Sequence, residues 1–200
     1  GRIGKGPSLA GAAVDFAQNL YGTLPLHRGQ LSVIYPDYPR ARKDESEAAL
    51  RYRKNRDAAH VDGLLAVGPT RARMLREPHA YVIGIPLNQT NSAASPMVVW
   101  QGSHHIMRAA FERALAPHPV SGWPNVDLTE IYKTARREVF ETCRRVIVHA
   151  SVGQAYVIHR HALHGVAPWG DGAVAPSEGR MIAYFRPEFI NGPADWLAEM

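Results

Sequence analysis

Cysteine is nearly absent: Cys143 is the only one among 200 residues. No intramolecular disulfide can form, and zinc sites built on several cysteines are excluded. This usage fits a reducing compartment, and a cytoplasmic location is expected. Long apolar runs are missing too. No stretch approaches the roughly 18–20 residues that a membrane-spanning helix needs, so no membrane partner is expected. The first residues, GRIGKGPSLAGAAVDF, lack the apolar segment of a secretory leader. Internal repeats, low-complexity tracts and interdomain linkers are also lacking, and a single domain over residues 1–200 is the expectation. Any metal held by this chain must therefore be held by His, Asp or Glu.

The composition is that of a globular protein, with a formal net charge of +5. Such a balance favours anionic ligands without indicating nucleic acid, and a solvated basic surface explains it equally well. Much of the charge sits in YPDYPRARKDESEAALRYRKNRD, a Pro-bearing segment read as a surface loop with one helical turn around ESEAALRY.

Helical periodicity marks residues 8–21, with Ser8 as N-cap and Gly22 as stop. It also marks SHHIMRAAFERALA, capped by Ser103, and DLTEIYKTARREVFETC, with Asp127 and Glu130 in capping-box spacing. These last two form a helical insert over residues 103–142. Around them lie about eight short strand-like runs: GQLSVIY, AAHVDGLLAV, AYVIGIPLN, MVVWQG, RVIVHA, GQAYVIH, ALHGVAPW and RMIAYFRPEF. Strand and helix do not alternate regularly, so a parallel βαβ sheet is disfavoured. The expected fold is mainly β with flanking helices, an antiparallel jelly roll with its core over about residues 29–190.

His60 and Asp62 stand two apart in an apolar segment. On a strand, residues i and i+2 share a face, so both side chains can converge on one ion. The histidine-rich VIHRHALHGVAPW offers His159, His161 and His164 as a third ligand. Two histidines and one carboxylate leave adjacent positions of an ion open, an arrangement suited to non-haem Fe(II).

The order His-x-Asp, then WQGSHH, then LHG, then an arginine in the last strand resembles the Fe(II)/2-oxoglutarate dioxygenases, and among them the phytanoyl-CoA dioxygenase-like branch. The resemblance runs over about residues 58–188. It departs from the family's Pro-Gly-Ser-His segment at Gln101. It implies a double-stranded β-helix, a cupin-like barrel. It also implies a hydroxylase that couples oxidative decarboxylation of 2-oxoglutarate to oxidation of a small-molecule substrate by O₂. Carried over residue by residue, His60, Asp62 and His164 would hold Fe(II), with His161 the second choice of distal ligand. Arg180 would anchor the far carboxylate of 2-oxoglutarate, with Arg186 as fallback, and His104 would contact co-substrate or substrate. Trp100 is read as a core residue, and Asn88 and Gln89 as candidate pocket residues. An anionic substrate is favoured by the basic loop, and nucleic acid is not expected. Three rivals stand beside this reading: a cupin-type metal enzyme without 2-oxoglutarate, a nucleic-acid demethylase of the same superfamily, and a non-catalytic ligand-binding module.

Overall fold

The structure is a computed structural model, and it describes residues 5–26 and 28–198. In chain order its elements are α1 (Ala12–Tyr21), β1 (Gln30–Ile34), α2 (Glu47–Asn55), β2 (Leu64–Val67), β3 (Ala72–Leu75), β4 (Tyr81–Pro86) and β5 (Met97–Trp100). Then come α3 (Ser103–Leu115), a 3-10 turn (Val120–Asn125), α4 (Thr129–Thr142), β6 (Arg145–Val148), β7 (Tyr156–His159), β8 (His164–Val166), β9 (Arg180–Phe185) and α5 (Pro193–Leu197).

Seven of the strands form two antiparallel sheets, ordered β1-β9-β4-β7 and β6-β5-β8, and β2 pairs with β3 as a separate hairpin. An isolated antiparallel bridge joins His60 to His164 on β8. Strand alternation sorts the side chains into layers. On β9, Ile182 and Tyr184 face Met97, Tyr156 and Ile158 in the core between the sheets. Ala183 and Phe185 face the other way, against Val14 and Ala17 of α1. On β5, Val98 and Trp100 turn outward onto Met107, Phe111 and Leu115 of α3 and Val139 of α4. Strands β4 and β9 are thus covered on both faces and read as nearly unbroken apolar runs, whereas the edge strands β1 and β6 are partly exposed. Phe111 and Leu115 are fully buried, each contributing about 1.5–3 kcal/mol. Trp100 is a core residue as expected, edge-on to Phe140 with ring centroids 5.2 Å apart.

Local details depart from the sequence reading. The first helix starts at Ala12 with Gly11 at its cap, so Ser8 caps nothing; Gly22 ends it, its N–H donating to the Gln18 carbonyl. The charged loop holds a full helix, α2, capped by Ser46, whose hydroxyl accepts the Ala49 N–H. Gly102, left-handed, occupies the cap of α3, while Ser103 accepts the Leu163 N–H at 2.9 Å and ties α3 to the segment before His164. At α4, Asp127 accepts the Thr129 N–H, but Glu130 pairs with Lys133 rather than closing a capping box. Strand β3, ARML, was not expected, because Arg73 interrupts it, Arg71 precedes it and it lacks apolar alternation. Only Leu64–Val67 of AAHVDGLLAV is regular strand. His60 and Asp62 lie in the bridge and turn before it.

Candidate metal centre

Two hydrogen bonds hold the His60–His164 bridge, from His60 N–H to the His164 carbonyl at 2.8 Å and from His164 N–H to the His60 carbonyl at 3.0 Å. The pairing sets the two imidazoles side by side, ring centroids 4.7 Å apart. Asp62 reaches between them. Its Oδ1 lies 3.2 Å from His60 Nε2 and its Oδ2 3.6 Å from His164 Nε2. One ligand atom from each of the three residues falls within 4.8 Å of the others, the sole such group among the described residues.

The ring nitrogens opposite this cluster are committed. His60 Nδ1 lies 3.0 Å from the Ala58 carbonyl and His164 Nδ1 2.9 Å from the Ala162 carbonyl. A carbonyl can only accept, so each Nδ1 carries a proton; Nε2 then donates to Asp62 when the ring is protonated and keeps a lone pair for an ion when the ring is neutral. The neutral Nδ1–H tautomer is the one that ligation through Nε2 needs. The donor set, its spacing and its tautomers fit a divalent ion.

Two glycines make the approach possible. A Cβ on Gly165 would sit 2.2 Å from the Asp57 carbonyl oxygen, so the chain bearing His60 packs against β8 only because that position is glycine. Gly63 has φ +89°, and a Cβ there would meet the Glu77 carbonyl oxygen at 2.3 Å.

Arg186 completes the surroundings. Its Nε–H donates to Asp62 Oδ2 at 2.5 Å and its Nη1 to Gln30 Oε1 at 2.7 Å. Burial would raise the Asp62 pKa, but hydrogen bonds from His164 and His60 outweigh it, and the carboxyl is held well below the usual range. At His60, desolvation disfavours the charged ring, yet the hydrogen bond and charge of Asp62 prevail and hold its pKa above the ordinary value. Beside the cluster lies a cavity of about 420 Å³ whose walls include Gln30, Leu65, Arg73, Glu77, His79 and Arg186.

The other candidates lie elsewhere. Arg180 is buried between the sheets, 3% exposed, with both terminal nitrogens lacking a hydrogen-bond partner. It lines a cavity of about 10 Å³ together with Asn88, Met97, Tyr156 and Ile182. Between Arg180 on β9 and Arg186 just past its end, the Tyr184 hydroxyl is 2.9 Å from that of Tyr156. The Tyr156 pKa is pushed up by burial and by Tyr184, and the charges of Arg180 and Arg186 both reach it. Asn88 clips the start of β9, donating to the Gly179 carbonyl and accepting from the Met181 N–H.

His104 packs against His105 and His159, ring centroids 3.9 and 4.9 Å away, and does not line the cavity at the triad. His161 points away from the triad into the α3–α5 interface, 4.4 Å from Trp196. Burial and the Arg160 charge push the His159 pKa down to about 3. Strict alternation through HRHALH does not hold, because a turn closed by Ala162 N–H on the His159 carbonyl separates β7 from β8. Sequence reasoning did not find the Arg186–Asp62 contact, although period two puts Arg186 on the face of β9 that bears Arg180.

No protein-family model and no curated protein matches this sequence. Solved structures are similar in part, two of them as follows. One is the non-haem α-ketoglutarate-dependent carbocyclase SnoK from nogalamycin biosynthesis, 16% identical over 65% of this chain and 42% of that one, with a TM-score of 0.37. The other is the non-haem iron oxygenase OrfP in complex with Fe, 16% identical over 64% of this chain and 54% of that one, with a TM-score of 0.31. The chain thus spans about half the length of either structure. No helix among the described residues is long and apolar enough to cross a membrane.

Proposed function

We propose that this chain is a non-haem Fe(II) oxygenase that couples oxidative decarboxylation of 2-oxoglutarate to hydroxylation of a small-molecule substrate. The observation that carries the reading is the triad: two Nε2 lone pairs and one carboxylate converge while both Nδ1–H groups are committed to backbone carbonyls. His60, Asp62 and His164 would hold the ion. Bound Fe(II) supplies the O₂ chemistry that no side chain provides.

The sheet orders support a jelly roll. With His60 counted at the free side of β8, the second sheet reads β6-β5-β8-His60 against β1-β9-β4-β7. From β6 onward the chain alternates between the two sheets, from β6 to β7 to β8 to β9. Arg180 supports the co-substrate. A buried guanidinium with no acceptor is costly, and a carboxylate gripped by its fork relieves that cost. Arg186 would keep Asp62 ionised and oriented, and the cavity at the triad would admit the substrate. His104 would act outside the metal centre, at the His105–His159 stack.

A metal-dependent enzyme on the same scaffold that takes no 2-oxoglutarate is a second reading. One observation favours it: the small cavity at Arg180 is not the cavity at the triad. Anaerobic titration with Fe(II) and then 2-oxoglutarate separates the two. The first reading expects a visible charge-transfer band that needs both components and is lost in Arg180→Ala at limiting co-substrate. Stoichiometric metal binding without the band selects the second reading. Full turnover in Asp62→Ala would overturn both.

A further inference from the structure

We infer that Arg145 is a positioning residue for the metal centre, acting through Asp57 and the turn that delivers His60. The inference rests on the proposal that His60, Asp62 and His164 bind a divalent metal.

His60 follows a tight turn, closed by the Ala59 N–H donating to the Arg56 carbonyl at 2.8 Å. Its two central residues, Asp57 and Ala58, both have φ +52°. That left-handed region disfavours residues with a Cβ; glycine, asparagine or aspartate is the usual solution, so Ala58 is the disfavoured one of the pair. Here neither residue is glycine. The conformation therefore needs outside support, which arrives at three points. Arg145 on β6 grips the Asp57 carboxylate as a fork, Nε to Oδ2 at 2.7 Å and Nη2 to Oδ1 at 2.8 Å. The Asp57 carbonyl accepts the Val166 N–H of β8 at 2.8 Å. The same carbonyl oxygen occupies the space that a side chain on Gly165 would take.

The turn has one output toward the metal centre besides its position. The Ala58 carbonyl is the acceptor for His60 Nδ1–H. It fixes both the tautomer and the rotation of the ring, and so the direction of the Nε2 lone pair. The chain of contacts runs from the Arg145 guanidinium to the Asp57 carboxylate, to the left-handed turn, to the Ala58 carbonyl, to His60. Its parts are distant in sequence: Arg145 and Asp57 are 88 residues apart. Partners of this kind behind metal-binding histidines typically govern affinity by about 10–100-fold.

The experiment is Co(II) titration of metal-free wild type, Arg145→Gln and Arg145→Lys, followed by the Co(II) d–d spectrum and by calorimetry. Imidazole ¹H–¹⁵N spectra of the metal-free proteins, recorded at a pH where His60 is neutral, report its tautomer. Wild type should bind one equivalent and show His60 protonated at Nδ1. Arg145→Gln, with the fold retained, should bind more than fivefold more weakly and show a mixed tautomer. Arg145→Lys keeps the charge but loses the fork, and the same fivefold criterion applies to it if the glutamine variant does not fold. A loss below fivefold overturns the inference, even if thermal stability falls, because the ion pair would then serve only the fold. Wild type that binds no Co(II) would overturn the metal reading itself, and this inference with it.

Discussion

Arg186 donates its Nε–H to Asp62 Oδ2 at 2.5 Å across 124 residues of chain, with both side chains at least four-fifths buried. The contact ties the last strand to the turn after His60. Breaking one half of a buried pair leaves the other charge uncompensated, so Arg186→Gln should cost about 3 kcal/mol in metal-free protein. Saturating Co(II) should reduce that loss, since the ion then neutralises Asp62. Urea unfolding with and without Co(II) measures both quantities. An equal loss in the two states would mean that Arg186 does not act through Asp62.

Acid and base should act on the metal-free centre in opposite senses. The Asp62 pKa is depressed, so its contribution is present above the ordinary carboxylate range and disappears as pH falls through the lowered value. The His60 pKa is raised, so its contribution is complete below the ordinary histidine range and disappears as pH rises through the raised value. Metal-free protein should lose stability as pH climbs above about 6.5, and His60→Gln should flatten that limb. Metal affinity should climb over the same interval, because a protonated imidazole cannot ligate. Thermal denaturation across pH, paired with Co(II) titrations, reads both trends.

Arg180→Met should separate stability from co-substrate use. Methionine has similar reach and removes a buried cation whose terminal nitrogens lack partners. Metal-free stability should hold or rise by about 1–3 kcal/mol. Under the proposed function, KM for 2-oxoglutarate should rise at least tenfold while Co(II) affinity stays at the wild-type value. A fall in stability of that same size would place an acceptor on Arg180 in the folded protein and count against a role as anchor.

Gly165→Ala should cost more than its single methyl suggests. The added Cβ would sit 2.2 Å from the Asp57 carbonyl oxygen and 3.1 Å from the Ala59 Cα, both backbone atoms. Either β8 or the turn before His60 must move, at a cost of about 1–3 kcal/mol. Co(II) affinity should drop by an order of magnitude or more, because His60 and His164 ride on the two segments forced apart. Wild-type affinity in a folded Gly165→Ala protein would show that the bridge does not set the ligand spacing.

The grouping of His60, Asp62 and His164, proposed here to hold the metal, was legible in the sequence because its parts carry local signals. His60 and Asp62 stand two apart before a glycine, and His164 is followed by one; the structure supplies a steric reason for each glycine. Strands β1, β4, β5, β7 and β9 were legible from their apolar runs. The cap of α1, strand β3 and the turn between β7 and β8 were not. A cap depends on where the first helical bond forms, and an arginine-bearing hairpin has no apolar alternation to announce it.

Residue type and spacing alone determined that any metal here must sit on histidine and carboxylate, that no disulfide could help, and that the last strand presents Arg180 and Arg186 to one face. Tertiary structure decided between those arginines: one packs on Asp62, the other is buried without an acceptor. It brought His164, rather than His159 or His161, beside His60 and Asp62, and it joined Arg145 to Asp57. These choices depend on hydrogen bonds between segments far apart in the chain. Their geometry exists only once two sheets and two turns are packed together, so no local pattern encodes it.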